Sequence, residues 1–322
     1  MEVVFKKASY RNRLFAFAID LFLMIVTTLG LMGIAYLITS NMDYYKNANQ
    51  AINDLQMKSH LYVERSDGNY QLMCDYYKIT QDSDYEKYAN QFDEALTEFY
   101  SDPDFFDQSN PLSGMYLYNT QKIPADKTAS DLFIYEDETH SNIIPRDGAT
   151  QEQLYKFYCG VMENQAYSYL VKHDTYINSS RIINLNFFLV DLLIPIVLST
   201  IIYELIIPLS LRRGKKTIGK LLLKLSVVDV RGLSCPWYRY LLRFTILLFL
   251  EIILSIPGIL IPIVVSFTMT VFSKRGQALH DYITNTYVIE APMSSICLNE
   301  EEYLKKHEKD EQFSLSKEEV VL

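Results

Sequence analysis

The stretch from Arg13 to Thr39, RLFAFAIDLFLMIVTTLGLMGIAYLIT, decides how this chain is placed. From Leu14 onward it contains 26 residues, and every one except Asp20 is apolar, small or weakly polar. A helix rises about 1.5 Å per residue, so this run exceeds a hydrocarbon core about 30 Å thick. The stretch therefore predicts a first membrane-spanning helix over residues 14–40.

Two charged residues mark one face of this predicted helix. Asp20 lies about one and a half turns inside it, and Arg13 stands seven residues earlier, two turns back on the same face. A lone carboxylate is costly in lipid. We therefore expect Arg13 and Asp20 to face protein and to belong to one polar cluster.

The average composition hides two unlike parts of the chain. The protein has 322 residues and a net charge of −9, but residues 41–182 hold eleven Lys and Arg against twenty-three Asp and Glu. The same stretch carries seventeen of the twenty-five tyrosines. It predicts a separate acidic, tyrosine-rich domain of α+β type, with a capped helix after Asp84, another after Thr150, and short strand pairs between turns. A basic footprint for nucleic acid is absent, so no nucleic-acid partner is predicted.

The remaining apolar runs predict three more spans, over residues 183–211, 239–256 and 257–272. The last two could instead form one long tilted helix. Arg239 and Arg243 flank the pair on one side and Lys274 and Arg275 on the other, which favours two short helices that meet at a turn over residues 255–258. The basic segment 212–238 and the segment 273–322 then lie in the cytoplasm, as do residues 1–13 with Lys6, Lys7 and Arg11. A signal peptide at the N-terminus is disfavoured, because the first apolar run is roughly twice a usual h-region.

The predicted fold is thus an α-helical polytopic membrane protein. It has four transmembrane helices, an α+β extracytoplasmic domain, and a small cytoplasmic element in which LSVVDV and TYVIE pair as two strands. We expect a multi-pass protein of the cell membrane with the lipid bilayer as its main partner and both termini in the cytoplasm.

Three short motifs resemble those of the RDD family of bacterial membrane proteins. They are RLFAFAID at 13–20, GKKTIGK at 214–220 with an apolar stretch ending in VD at 228–229, and LHD at 279–281 followed by TYV at 286–288. Arg13, Asp20 and Asp281 are the name-giving residues. The resemblance covers residues 8–40 and 183–290, and it implies a bacterial multi-pass protein suspected of transport. Lys216 stands where the family often has a small or amide residue, and the insertion of about 140 residues between the first two spans is unusual.

Two interpretations of the charged membrane cluster of Arg13, Asp20 and Asp281 stay open. In the first, Asp20 is the buried carboxylate of a path for a small cation or solute. In the second, the three charges form a clasp that only holds helices together. Additional candidates are Asp191, Glu204, Glu251 and His280. Glu204 could join the cluster, and Asp191, near the outer end of its helix, could be solvated by the extracytoplasmic domain.

The basic motif GKKTIGKL almost spells a phosphate-binding loop. Leu221 occupies the position of the magnesium-ligating hydroxyl, so nucleotide binding is not predicted, and anionic lipid head groups are the expected partners of Lys215, Lys216 and Lys220. His280 and Asp281 are neighbours without a nucleophile. We therefore predict no catalytic residue, no enzyme activity and no cofactor.

The four cysteines show no CxxC pairing, so no metal site is predicted. Cys74 and Cys159 are candidates for a disulfide, with two buried free thiols as the alternative. The many tyrosines could form a surface for a protein partner or the core of the acidic domain. The leading functional hypothesis is an RDD-type transporter or exchanger, as a homo-oligomer; the alternative is a membrane scaffold or sensor whose outer domain binds an extracellular partner.

Overall fold

The computed structural model describes residues 8–80, 84–136, 142–211, 213–255, 260–272, 276–292, 295–306 and 308. The chain divides into two compact units, one of residues 38–187 and one of residues 1–37 with 188–322. The predicted turn at residues 255–258 lies, apart from Ser255, outside the described residues.

Residues 38–187 form a mixed unit of helices and short antiparallel strand pairs. Its helices are α2 (Asp43–Lys58), α3 (Met73–Thr80), α4 (Tyr85–Ser101), α5 (Met115–Lys122), α6 (151–170) and the first part of α7 (Asp174–Ser210). Its strands are β1 (Tyr62–Glu64), β2 (Tyr70–Leu72), β3 (Phe133–Tyr135) and β4 (Ile143–Pro145), paired as β1 with β2 and β3 with β4. As the sequence predicted, Asp84 caps α4 and Thr150 and Gln153 form a capping box at the start of α6.

Aromatic side chains fill the core of this unit. Tyr100 and Tyr118 stack with ring centroids 5.2 Å apart, and both are fully buried. The Tyr118 hydroxyl donates to Asp93, whose carboxylate also pairs with Lys122. Tyrosines such as these are therefore core residues, and the Tyr118 hydroxyl finds its hydrogen-bond partner inside the unit. This agrees with the interpretation that the tyrosines form the core of the acidic domain.

The other unit holds the long apolar helices. It contains α1 (Tyr10–Thr39) as far as residue 37, the rest of α7, α8 (Ile218–Leu222), α9 (237–255), α10 (Ile261–Phe272) and α11 (Leu279–Ile283). Strands β5 (Leu225–Asp229) and β6 (Thr286–Glu290) pair antiparallel, with Val227 opposite Val288, as the sequence predicted. In the described residues α9 ends at Ser255 and α10 begins at Ile261, so this apolar block contains two helices and not one.

Two helices, Tyr10–Thr39 and Asp174–Ser210, are long and apolar enough to cross a membrane by length and composition. Many large apolar side chains on the helices of this unit point outward. Examples are Phe15, Phe22, Leu29, Ile261 and Phe272, each more than half exposed. A water-soluble protein rarely exposes so much apolar surface, whereas a lipid-facing helix does.

Candidate functional site

The carboxylate of Asp20 is enclosed by the loop and short helix that follow α7. Thr217 Oγ1 donates a hydrogen bond to Asp20 Oδ2 at 2.5 Å, and the Gly219 backbone N–H donates to Oδ1 at 2.7 Å. Thr217 also caps α8, because its side chain accepts a bond from the Lys220 backbone N–H. Asp20 is only 2% exposed, but both of its oxygens have donors, so its burial leaves neither oxygen unpaired.

Gly219 brings α8 against the backbone of α1. A Cβ at this position would lie 2.1 Å from the carbonyl oxygen of Ala16, far inside van der Waals contact. Ala16 is 1% exposed and lies one turn before Asp20 on the same face of α1. The small residues Ala16 and Gly219 thus permit a close approach of α1 and α8. Hydrogen bonds from Thr217 and Gly219 to Asp20 stabilise this approach. We call this contact the α1–α8 lock.

A second buried cluster lies around Asp281. Arg13 NH2 is 3.0 Å from Asp281 Oδ2, and Arg243 Nε is 2.8 Å from Oδ1. Both guanidinium groups are largely buried, and Asp281 is 1% exposed. Burial alone would raise the pKa of Asp281, but the positive charges of Arg243 and Arg13, with the adjacent His280 ring, outweigh it and hold the pKa well below its usual range. Asp281 is therefore a fixed negative charge at neutral pH.

The cluster continues through His280 to Glu251. Arg243 NH2 lies 2.9 Å from His280 Nε2, and His280 Nδ1 lies 2.9 Å from Glu251 Oε1. A guanidinium only donates, so Nε2 is the acceptor and the ring proton sits on Nδ1, from which it is donated to Glu251. Ser266 of α10 donates to the same glutamate oxygen at 3.0 Å. We call Arg13, Asp281, Arg243, His280 and Glu251 the Arg–Asp network.

The predicted membrane cluster of Arg13, Asp20 and Asp281 is thus divided between two places. Arg13 and Asp281 are ion-paired in the Arg–Asp network, whereas the hydrogen bonds of Asp20 go to Thr217 and Gly219 in the α1–α8 lock. The reason is local. The start of α8 offers two aligned donors to Asp20, and Arg13 lies two turns away, about 10 Å along the helix axis.

The other predicted acidic residues have separate surroundings. Glu204 forms an ion pair with Lys220 at 3.9 Å, on the side of the α1–α8 lock. Asp191 is buried, at 3% exposed. Glu251 and His280, which the sequence did not connect, contact each other directly.

The lysines expected to bind lipid head groups are not free surface groups. Lys216 is 1% exposed, its Nζ donates to the carbonyl of Ala291 at 3.0 Å, and burial lowers its pKa. Lys215 is also buried, and Lys220 is mostly covered while paired with Glu204. The prediction of head-group binding by these three side chains is corrected, because the segment folds inward, where Lys216 contacts the Ala291 carbonyl and Thr217 and Gly219 hold Asp20.

Four π-helical segments occur in the described part of the chain, and each contains an acidic residue. They are Met162–Ala166 with Glu163, Phe187–Leu193 with Asp191, Ile202–Ile206 with Glu204, and Leu247–Ile252 with Glu251. A π-turn widens the backbone ladder and redirects its side chains, and such turns are frequent at functional sites. This feature has no simple sequence signature.

Sequence reasoning missed two members of the site. Arg243 was interpreted only as part of a basic flank, but it is the residue that joins Asp281 to His280. Ser266 looked like one more weakly polar residue of an apolar run, but it donates to Glu251. An arginine that is followed by seven apolar or weakly polar residues and then a glutamate, as Arg243 is, is the signal that could have found the first.

All four cysteines lie in the described residues, and none of them forms a disulfide. The Cys74 and Cys159 side chains are nevertheless hydrogen-bonded neighbours, and this contact together with burial raises the pKa of Cys74. The structure therefore has two thiols here, one buried and one half-buried, and not the candidate disulfide.

The α1–α8 lock gives a first prediction. Replacing Thr217 by Val keeps the side-chain shape but leaves Asp20 Oδ2 buried without its donor, which costs about 1–3 kcal/mol of unfolding free energy. Thr217→Ser, which keeps the hydroxyl, is the control and retains most of the stability. Unfolding in mixed detergent micelles measures both, and equal stability of Thr217→Val and wild type would contradict the contact.

Fold and site together define a class: a mostly helical integral membrane protein whose first helix is held by two buried carboxylate sites. The model of the RDD family matches residues 155–285. The match confirms the resemblance drawn from the motifs. The matched region includes Thr217, Gly219 and Asp281. Arg13 and Asp20 precede that region in sequence and contact these three residues in the folded protein. Comparisons with curated proteins and with solved structures gave no match.

Proposed function

We propose that this RDD-type protein crosses the membrane four times and exchanges a small cation for protons through the Arg–Asp network. The spans are residues 14–40, 183–211, 239–256 and 257–272, with both termini in the cytoplasm and residues 41–182 outside. The outward apolar side chains of α1 and α10 support a lipid setting for these helices. The basic flanks support the orientation.

One observation carries the proposal: an unbroken chain of buried polar contacts from α1 to the apolar helix α9. It runs from Arg13 through Asp281, Arg243 and His280 to Glu251, with no gap longer than 3.0 Å. A structural ion pair needs only Arg13 and Asp281. The extension to a histidine and a second carboxylate adds two groups that can exchange a proton.

The charges of the network explain why a cation and a proton would compete. Two guanidinium groups balance the two carboxylates when the His280 ring is neutral, so the network has no net charge. Protonating Glu251 and binding a cation beside it each add one positive charge, and the network accommodates one of the two at less electrostatic cost than both. The two events are therefore mutually exclusive alternatives.

The geometry also links a proton on His280 to the first helix. A second ring proton would occupy Nε2, which now accepts from Arg243, and would turn that contact into a clash of two donors. Arg243 would have to leave His280, and Arg243 shares Asp281 with Arg13 of α1. Protonation thus loosens a contact that involves α1, α9 and α11, which is a means of alternating access.

A buried polar group beside the network supports a path for water or ions. The Tyr240 hydroxyl is fully buried and has no hydrogen-bond partner in the described part of the chain. Its ring lies 5.5 Å from the guanidinium carbon of Arg243. Buried hydroxyl groups are almost always satisfied, so an unsatisfied one next to charged groups marks a position for a transient water or ion.

Flux through Glu251→Gln tests the proposal. The amide oxygen still accepts from His280 and Ser266, so this variant should fold like wild type, but it cannot carry a charge or a proton. In liposomes with an imposed pH gradient, we expect the wild type to move monovalent cations and Glu251→Gln to move none. Glu300→Gln, which alters an exposed ion pair with Arg231, is the matched control.

Two results would overturn the proposal. Wild-type flux in Glu251→Gln would remove the network from the path. Absence of flux for the wild type under any gradient would favour the non-transporting scaffold or sensor. Because four short spans enclose little space, we also propose that the transporter is a homo-oligomer, and a strictly monomeric wild type in detergent would count against that part.

A further inference from the structure

A cluster of metal-ligating side chains lies in the unit of residues 38–187. Cys74 and Asp75 are consecutive in α3, and Glu163 belongs to α6. One ligand atom from each, the thiol sulfur and a carboxylate oxygen of both acids, lie within 4.8 Å of one another. Residues separated by nearly ninety positions thus present three donors to one point.

Cys159 adds a fourth donor at the edge of this group. Its side chain is hydrogen-bonded to Cys74. It lies four residues before Glu163, so the two share a face of α6. The π-turn Met162–Ala166 begins between them and turns Glu163 relative to a regular helix. Both helices therefore contribute one thiol and one carboxylate.

The two carboxylates of this cluster, Asp75 and Glu163, are unpaired as far as the structure describes the chain. Within the described residues neither Asp75 nor Glu163 forms an ion pair or a side-chain hydrogen bond. Both are close enough to Cys74 to raise its pKa by their charge, although the Cys159 contact and burial contribute more. Two carboxylates that converge on a buried thiol repel one another unless a cation lies between them.

The exposure of the four side chains increases from one side of the cluster to the other, as expected for a site that opens to solvent. Cys74 is fully buried, Asp75 and Cys159 are half-buried, and Glu163 is exposed. A cation can arrive at the carboxylate side and reach the sulfur at the base. The acidic balance of residues 41–182 also raises the local concentration of cations.

We propose that Cys74, Asp75, Glu163 and Cys159 bind a divalent transition-metal ion of the zinc class. Thiolate sulfur excludes Mg²⁺ and Ca²⁺, which take oxygen ligands, while the two carboxylates disfavour Cu(I). Four donors of S and O type suit the tetrahedral coordination of Zn²⁺. Binding displaces the thiol protons of both cysteines to solvent, so the affinity rises with pH.

Cobalt titration of the full-length reduced protein, without a histidine tag, tests this site. Co²⁺ replaces Zn²⁺ in tetrahedral sites and gives a thiolate-to-metal absorption band in the near ultraviolet. We expect a single ion per chain, a band that Zn²⁺ removes, and loss of the band in Cys74→Ser. Glu163→Gln, an exposed position that cannot disturb the core, should weaken binding by about tenfold or more.

Matched variants make the outcome decisive. Cys235→Ser changes another buried thiol and should leave the band unchanged, and circular dichroism shows whether each variant is folded. A missing thiolate band in folded wild type overturns the site. Discovery of a Cys74–Cys159 disulfide in protein taken from membranes under non-reducing conditions overturns it too, because the two thiolates would then be consumed.

Discussion

Gly219→Ala should unfold or strongly destabilise the protein. The added methyl group would lie 2.1 Å from the carbonyl oxygen of Ala16 and within 3.0 Å of two further backbone atoms of α1. Backbone cannot move aside as a flexible side chain can, so α8 must separate from α1. That separation also breaks both hydrogen bonds to Asp20. We expect a loss of about 3 kcal/mol or more, measured by unfolding in mixed micelles.

Gly30→Ala and Gly33→Ala supply the matched controls. Both glycines lie in α1, and a Cβ at either one would meet nothing within 4 Å. Alanine favours a helix over glycine by about 1 kcal/mol, so these changes should be neutral or slightly stabilising. If Gly219→Ala behaved like the two controls, the close approach of α8 to α1 would be refuted.

Asp281→Ala is the second change with a large expected effect. It leaves Arg13 and Arg243, both largely buried, without their shared counter-charge. Breaking a buried pair by removing one partner typically costs about 3–5 kcal/mol, because the remaining charge stays buried. Here two charges would remain, so we expect the upper end of that range or no folded protein.

An exposed ion pair provides the comparison for Asp281. Glu300→Ala removes the partner of Arg231, and both side chains are more than half exposed. Exposed pairs contribute about 0–1 kcal/mol, so this variant should melt near wild type. Equal effects of Asp281→Ala and Glu300→Ala on unfolding would contradict the burial of the network.

The pKa of Asp281 predicts how this contribution depends on pH. Its folded-state pKa lies below the unfolded value of about 3.9, so its stabilisation is complete above that value and is lost as pH falls through the folded pKa. The stability difference between wild type and Asp281→Asn should therefore be constant from neutral pH down to about 5 and shrink below about 4. A difference that changes between pH 6 and 8 would point to another titrating group.

The sequence predicted the elements of the fold better than the partners of its charged residues. The apolar run after Arg13, the capping residues Asp84 and Thr150 and the pairing of β5 with β6 follow from periodicity and local hydrogen bonding. The family resemblance followed from the motifs. For the apolar run, the caps and each motif, the information lies within a few neighbouring residues.

The site could be predicted only in part because its contacts are tertiary. The sequence predicted that Asp20 would join Arg13, because both lie on one face of the same helix. In the structure Asp20 instead accepts hydrogen bonds from the backbone N–H of Gly219 and the hydroxyl of Thr217. Lys216 was expected at the membrane surface because unpaired lysine side chains usually lie at a surface. In the structure it is buried and donates a hydrogen bond to the backbone carbonyl of Ala291. The convergence of Cys74 with Glu163 depends on the packing of α3 and α6, which no spacing in the sequence reveals.

The most direct test of this account is a double-mutant cycle between α1 and the RDD region, using Asp20→Asn and Thr217→Val. The two positions are 197 residues apart and share one hydrogen bond. If Asp20 and Thr217 are in contact, their coupling energy should be about 0.5–3 kcal/mol in the free energy of unfolding. The double variant should then lose less stability than the sum of the losses in the two single variants. Strict additivity of the two losses would contradict the claim that Asp20 fastens the first helix to this loop.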